Sequence, residues 1–266
     1  MHAVAGALAG HGWNIDDSQQ FADHDTGRFF MRVEASGPAA GGTGPLAKEL
    51  EELAARFSME LELHERDEVP RILILVSQFG HCLNDLLYRC STGALRCEVA
   101  AVVSNHPDFA PLAAAYGIEF HHLPVTKETR PAQESAILEL AGSLGVSLVV
   151  LARYMQILSP EMVDRLEGRA INIHHSFLPS FKGARPYHQA YERGVKLIGA
   201  TAHYVTSELD EGPIIEQEVT RVDHRMGPAR LSRIGEDLEC LALARAVSWH
   251  LSHRVMRNGS RTVVFA

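Results

Sequence analysis

The chain has 266 residues, a formal net charge of −8 and a pI near 6.0. Hydrophobic residues make up 46% and charged residues 22%, a composition that supports a sizeable core in one large or two small domains. The acidic balance and the lack of a Lys/Arg-rich block argue against a nucleic-acid-binding protein. No apolar run reaches the ~18–20 residues of a membrane span, and the first ten residues do not resemble a signal peptide. We therefore expect a cytoplasmic protein with neither a nucleic-acid nor a membrane partner.

The cysteine and histidine patterns predict no metal site. The four cysteines form no CxxC pair and have no zinc-type spacing, so reduced thiols are expected at Cys82, Cys90, Cys97 and Cys240. Two adjacent histidine pairs, His121-His122 and His174-His175, are expected to point apart on strands. The pattern also predicts no bound cofactor.

The first 66 residues predict a small domain. In chain order we expect a helix, two strands, an amphipathic helix and a half-buried strand, at Val4–Leu8, Asn14–Phe21, Arg28–Val33, Leu46–Phe57 and Met59–Leu63. The glycine-rich stretch Ser36–Pro45 is then an internal loop of this domain. The charged run His64–Pro70 marks the boundary, which gives domains at residues 1–66 and 67–266.

After Pro70 the pattern changes to apolar strands that alternate with helices. Strands are predicted at Arg71–Ser77, Val99–Ser104, Ile118–His121 and Ser147–Ala152, and helices at Leu83–Arg89, Phe109–Tyr116 and Gln133–Leu144. Strands that are apolar throughout are buried on both faces, and alternation with helices is typical of a parallel sheet. We expect an α/β domain with a Rossmann-like, mainly parallel sheet.

The segment Ala170–Ala184 carries candidate chemistry. Ile171–Ile173 predicts a strand, on which Asn172 and His174 share one face because side chains at i and i+2 point the same way. An amide can stabilise an oxyanion and an imidazole can transfer a proton, a pair suited to acyl transfer. Taken alone, an N-x-H pattern is a weak signal and is better explained by an asparagine that caps a turn and a structural histidine.

The segment Thr201–Ile215 adds a second candidate. His203 lies on a predicted strand, and the chain then turns tightly through Gly212 and Pro213. Asp210 in that turn could orient a histidine or activate water. It could equally close the turn through its own side chain.

Three long motifs resemble the folate-dependent formyltransferase family. They are N-I-H-x-S-x-L-P-S-F-K-G at Asn172–Gly183, D-x-G-x-I-I at Asp210–Ile215 and L-A-x-(Y/F)-M-x-I-L at Leu151–Leu158. The resemblance implies that Asn172, His174 and Asp210 form a catalytic trio. It also implies a folate pocket formed by Gln156, Ile157, Leu158, His203, Val205, Glu208 and Leu209.

The strings HCLNDLLYR from His81 and LARYMQILS from Leu151 are similar to the deformylase branch of that family. In the transferases a Gly-Ser-Asn turn after the first strand binds a ribonucleotide phosphate, whereas Ser77–Leu83 offers fewer free backbone N–H groups. The resemblance therefore implies a hydrolase with water as formyl acceptor. It would convert 10-formyltetrahydrofolate into formate and tetrahydrofolate, supplying formate for purine synthesis and balancing the one-carbon pool.

Gly12–Val33 resembles an ACT domain, the ferredoxin-like module that precedes the hydrolase domain in that branch. The first strand of such a domain is not recognisable here. Either the chain starts at a late start codon, or the gap is filled by rearrangement or another subunit. The resemblance implies a homo-oligomer, a dimer or a tetramer, with a possible amino-acid effector at this domain.

Other functions remain open from the sequence. The nearest is a formyltransferase whose acceptor is glycinamide ribonucleotide or another amine. A methionyl-tRNA formyltransferase is disfavoured, because its basic C-terminal domain is not expected here. A folate-binding sensor without catalysis is the non-enzymatic alternative, although such a protein would be expected to lose part of the trio.

Overall fold

The structure, a computed structural model, describes residues 1–38, 43–179 and 186–266. Its contacts divide the chain into two compact units between Glu68 and Val69, within the charged segment that sequence analysis takes as a boundary. Part of the glycine-rich stretch and the end of the first motif, from Ser180 to Gly183, lie outside the described residues. No helix in the described ranges is long and apolar enough to span a membrane.

The first unit is a small α/β arrangement. Its elements are α1 (His2–Gly10), β1 (Asn14–Asp23), β2 (Arg28–Ser36) and α2 (Gly44–Phe57), and β1 and β2 pair as an antiparallel hairpin. Leu46 and Leu50 recur at helical spacing on α2 and pack against Ala7 and Leu8 of α1. The amphipathic pattern therefore builds the core of this unit.

The predicted strand at Met59–Leu63 is wrong. The chain there has no regular secondary structure. Met59, Leu61 and Leu63 are 36%, 39% and 47% exposed. An alternating pattern forms a strand only when a neighbouring strand supplies hydrogen-bond partners, and in the described part of this unit the sheet consists of β1 and β2 alone.

The second unit is built on a seven-stranded sheet with strand order β5-β4-β3-β6-β7-β8-β9. The strands are β3 (Arg71–Val76), β4 (Glu98–Ser104), β5 (Phe120–His122), β6 (Leu148–Leu151), β7 (Ala170–His174), β8 (Leu197–Tyr204) and β9 (Ile214–Arg221). The first five strands in this order, β5, β4, β3, β6 and β7, are parallel to one another. Strand β8 pairs antiparallel with β7, and β9 pairs antiparallel with β8. The prediction of a mainly parallel sheet is confirmed.

Helices cover both faces of this sheet. They are α3 (His81–Ser91), α4 (Ala110–Ala115), α5 (Arg130–Ser143), α6 (Pro160–Arg165), α7 (Pro186–Glu192) and α8 (Pro228–Leu251), followed by the hairpin β10 (Val255–Asn258) and β11 (Arg261–Val264). Alternate residues of each strand enter opposite layers: Ile72 and Ile74 pack in the layer that contains α3 and α8, whereas Leu73 and Leu75 pack in the layer that contains α5 and α6. Double coverage explains why these strands are apolar throughout.

The order of the strands reverses beside β3. The chain runs from β3 outward through β4 to β5, and then returns to the other side of β3 as β6. In open α/β sheets, ligands bind in the crevice outside the carboxyl ends of the strands at such a switch point. This end of the sheet, including the loops after β3, β6 and β7, is where a site is expected.

Candidate active site

Asn172 and His174 share one face of β7. Ile171 and Ile173, which alternate with them along the strand, enter the core layer with α3 and α8, at 0% and 3% exposure. The two polar side chains consequently face the opposite side of the strand. His174 is buried, whereas Asn172 is half-buried.

Asp210 reaches this face from the loop after β8. Its Oδ2 lies 3.2 Å from Nδ1 of His174, and its side chain is 14% exposed. Asp210 has a φ of 58°, in the left-handed region that is uncommon for residues other than glycine. Backbone strain of this kind persists where surrounding structure fixes it, and it clusters at functional sites.

Gly212 allows the loop to fold this closely. A Cβ at that position would overlap the carbonyl oxygen of Tyr204 far inside van der Waals contact. The Tyr204 N–H donates to Pro213 O at 3.0 Å, which holds the loop against β8. The glycine therefore brings the backbone that carries Asp210 onto the sheet.

His203 joins the same cluster through strand register. It stands opposite Asn172 across the antiparallel β7–β8 pair, and its Nε2 lies 3.3 Å from Asn172 Nδ2 and 3.8 Å from Asp210 Oδ1. The Nδ1 atom of His203 lies 2.9 Å from the backbone carbonyl oxygen of Tyr204. An N–H on Nδ1 satisfies that contact, so Nε2 is assigned as the acceptor of the Asn172 amide hydrogen.

The carboxylate of Asp210 is held in its charged form. Burial alone would raise its pKa, but the hydrogen bond from His174 and the charge of that histidine outweigh burial and bring the pKa well below its usual range. As an acceptor Asp210 fixes the proton of His174 on Nδ1, as carboxylates do for histidines in catalytic triads. His174 Nε2 is buried and has no hydrogen-bond partner among the described residues. The arrangement can thus transfer a proton at Nε2.

The residues expected to form a folate pocket lie on two loops. Gln156, Ile157 and Leu158 follow β6, and Val205, Glu208 and Leu209 follow β8. Ile157 and Leu209 are 59% and 60% exposed, whereas Leu158 and Val205 are half-buried against the layer that contains α5. Two exposed apolar side chains on the loops that flank the site are compatible with an aromatic ligand. Their assignment stays a prediction.

Sequence reasoning missed a buried ionic cluster at the same end of the sheet. Glu239 of α8 is 1% exposed, and it accepts hydrogen bonds from His81 Nε2 at 2.7 Å and from Tyr187 Oη at 2.9 Å. Arg153 lies 3.4 Å away, measured from Nη1 to Oε2. These contacts join residues far apart in the chain, and a lone glutamate on an amphipathic helix gives no sequence signal of them.

The interpretation that His174 and His175 point apart is wrong. Their ring centroids are 5.0 Å apart, and the rings are tilted by 31°. His174 is the last residue of β7 and His175 lies beyond it, so the alternation of a strand no longer applies.

One group in the second unit has the composition of a metal site. Ligand atoms of His81, Cys82 and Glu239 lie within 4.8 Å of one another. Burial raises the pKa of the Cys82 thiol, with smaller contributions from Cys240 and Glu239, so the thiolate that binds metal is disfavoured. The hydrogen bonds to Glu239 account for this cluster without a metal ion.

Comparison with known proteins follows the same division of the chain. Residues 70–247 match the formyl transferase family. This range includes almost all of the seven-stranded unit. The chain belongs to the formyl transferase family. The match spans all four residues of the cluster around Asp210.

Two relatives are similar over nearly the whole chain. A protein of Corynebacterium sp. strain P-1 named formyltetrahydrofolate deformylase is 54% identical over 99% of this chain and 93% of its own length. The crystal structure of the formyltetrahydrofolate deformylase of Burkholderia mallei superposes with a TM-score of 0.96 at 52% identity, covering 100% of this chain and 94% of that one. Both similarities include the first unit.

A transferase of the family is similar over a shorter range. The glycinamide ribonucleotide transformylase 1 of Symbiobacterium toebii superposes with a TM-score of 0.71 at 31% identity, covering 77% of this chain and 99% of that one. The two kinds of relative therefore share a fold and differ in how much of this chain they match.

Proposed function

We propose that this chain hydrolyses 10-formyltetrahydrofolate to formate and tetrahydrofolate. The observation that carries the proposal is the 54% identity to a formyltetrahydrofolate deformylase over 99% of this chain. The transformylase similarity covers 77% of the chain at 31% identity. The cluster of Asn172, His174, His203 and Asp210 supplies groups that amide hydrolysis needs.

The reaction forms one bond and breaks another at the formyl carbon. Water adds its oxygen to that carbon, and the bond between the carbon and N10 then breaks. Of the two protons of water, one is transferred to N10 and the other is released to solvent, so that formate leaves as an anion. The proposed steps use a proton-transfer group and a donor for the tetrahedral oxyanion, and they need no cofactor beyond the substrate.

His174 and Asp210 are proposed as the proton-transfer pair. The 3.2 Å contact from Asp210 to Nδ1 supports this, because it leaves Nε2 as the atom that accepts or returns a proton. Asp210 acts mainly by orienting His174 and stabilising its protonated form. A carboxylate whose pKa lies well below its usual range keeps its negative charge for that task and is a weak base towards water.

Asn172 is proposed as the oxyanion donor. Its amide donates one hydrogen to His203, which fixes its rotamer and leaves a second N–H for the substrate. A pre-oriented donor stabilises developing charge without reorganisation during the reaction. His203 would therefore position Asn172, and Gln156, Ile157, Leu158, Val205, Glu208 and Leu209 would bind the folate.

We further propose that residues 1–66 form an ACT-like domain that mediates homo-oligomerisation. The alternating Met59–Leu63 segment supports this, because its apolar side chains are exposed on the surface of the single chain. Light scattering should show a smaller assembly for the double variant Leu61→Asp, Leu63→Asp than for the parent. The control Glu60→Asp, Glu62→Asp should keep the parent mass. An unchanged mass in the leucine variant would refute this role.

The function is tested by formate release with no amine acceptor present. Stoichiometric formate and tetrahydrofolate support hydrolysis, whereas turnover that requires glycinamide ribonucleotide supports the transferase. Binding without turnover would indicate a folate sensor. Transferase activity is tested as well, because the transformylase structure shares this fold with a TM-score of 0.71.

A further inference from the structure

The guanidinium of Arg153 is buried, and two of its three nitrogens donate no hydrogen bond to the part of the chain that the structure describes. Its side chain is 10% exposed, and the Nε and Nη1 atoms are fully buried with no hydrogen-bond partner among the described residues. Its Cζ lies 5.1 Å from the ring centroid of Phe79, which covers one face of the group. Buried donors are nearly always satisfied in native proteins, so these atoms call for a partner.

Glu239 is not the hydrogen-bond partner of these Arg153 donors. Its two carboxylate oxygens already accept from His81 and Tyr187 at 2.7 and 2.9 Å. Nη1 of Arg153 is at ion-pair distance, 3.4 Å, but it forms no hydrogen bond with the carboxylate. The pair balances charge, while Nε and Nη1 of Arg153 donate no hydrogen bond to any described residue.

Arg153 lies where the topology predicts a ligand. It follows β6, and its carbonyl accepts from the N–H of Ser77 just beyond β3, at 3.2 Å. These are the two strands at which the strand order reverses. Arg153 also has a φ of 65°, which places a charged, bulky residue in a backbone conformation that favours glycine. Strain of this kind is retained at ligand sites more often than elsewhere.

His175 connects this group to the proposed reaction centre. Its ring centroid lies 5.0 Å from that of His174 and 6.5 Å from that of Tyr187. Burial lowers the pKa of His175 to about 4, and the positive charge of Arg153 lowers it further than the charge of His174 does. His175 thus contacts both His174 and Tyr187, and the hydroxyl of Tyr187 donates to Glu239 beside Arg153.

We propose that Arg153 binds a small carboxylate, the formate ion, as it leaves the reaction centre. Formate is planar, carries one negative charge and has two acceptor oxygens, which suits the planar donor array of a guanidinium. The buried setting strengthens such an interaction, because little water competes for it. This inference rests on the proposed hydrolysis, since formate is a product only of that reaction.

The test uses ¹³C-formate and the full-length protein without folate. Formate line broadening in NMR should saturate with the parent protein. Arg153→Gly removes the guanidinium and suits the left-handed backbone, so it should fold and bind formate at least about tenfold more weakly, as loss of a charge-assisted hydrogen bond predicts. Arg153→Lys keeps the charge and should give an intermediate affinity. The control Arg245→Gln removes a charge from an exposed position on α8 and should bind as the parent does.

Thermal melting checks that each variant is folded, and product inhibition gives a second readout. Added formate should inhibit the parent more strongly than Arg153→Gly. No binding by the parent, or equal binding by parent and Arg153→Gly, would overturn the proposal. If inorganic phosphate binds and formate does not, the site takes a different oxyanion and the formate assignment is wrong. Formate binding needs no turnover, so this outcome is separate from a failure of hydrolysis.

Discussion

Asp210 Oδ2 lies 3.2 Å from Nδ1 of His174, and the same carboxylate lies 3.8 Å from Nε2 of His203. Two histidines on neighbouring antiparallel strands therefore share one carboxylate from a strained loop. This relationship explains why Asp210 is charged and why His174 presents Nε2 to a ligand.

Asp210→Asn should reduce kcat for hydrolysis by roughly 10²–10⁴, the usual effect of losing a group that takes part in acid–base catalysis. Binding of the folate should change little, because the amide keeps the size of the side chain. Steady-state kinetics and equilibrium binding separate the two effects. The assignment is wrong if the variant keeps more than about half of the parent turnover, a loss far smaller than acid–base roles show.

His174→Ala should lower kcat much more than it raises KM, because its contribution is made mainly in the transition state. The exposed His188 on α7 offers a matched control, and His188→Ala should retain the parent kinetics. A large rise in KM with an unchanged kcat would identify His174 as a binding residue.

Gly212→Ala should damage both activity and stability. The new methyl group would overlap the carbonyl oxygen of Tyr204, so the loop with Asp210 must move or the sheet edge must distort. Overpacking of this kind costs about 1–3 kcal/mol. Chemical unfolding and kcat are the measurements. At Gly227 a methyl group meets nothing within 4 Å, so Gly227→Ala serves as the control. Parent-like kcat and stability in Gly212→Ala would contradict the close approach.

Asp210 should also couple folding stability to acid. Its pKa in the folded state is depressed below the unfolded value of about 3.9, so ionised Asp210 stabilises the fold above that pH. This contribution is lost as pH falls through the unfolded value towards the folded one. The Tm difference between the parent and Asp210→Asn should thus be largest above about pH 5 and shrink below about pH 4.

Melting curves at several pH values measure this difference. Asp164→Asn, at an exposed position on α6, is the control and should show no comparable change with pH. A Tm difference for Asp210→Asn that is independent of pH would show that its carboxylate is not stabilised by His174.

Much of the fold follows from local patterns in the sequence. The buried strands of the second unit are continuous apolar runs, and α2 is an amphipathic helix with Leu46 and Leu50 on its inner face. The strand predicted at Met59–Leu63 failed because alternation describes side chains, whereas a strand also needs a partner for its backbone. The sequence of the segment does not show whether such a partner strand is present.

Part of the candidate site likewise follows from local sequence patterns, and part of it does not. The pairing of Asn172 with His174 follows from strand periodicity within one segment. The contact of Asn172 with His203 depends on the register of two antiparallel strands, and the cluster of Arg153 and Glu239 depends on the packing of α8 at the end of the sheet. Neither relationship leaves a periodic trace in the sequence, because both join residues through tertiary structure.

The most direct test of the central claim is the origin of the oxygen in the released formate. The protein and 10-formyltetrahydrofolate are mixed in H₂¹⁸O with no amine acceptor, and the formate is analysed by mass spectrometry. The account predicts one ¹⁸O atom in each formate molecule and an equal amount of tetrahydrofolate, because water attacks the formyl carbon. Unlabelled formate, or no formate until an amine acceptor is added, would contradict it.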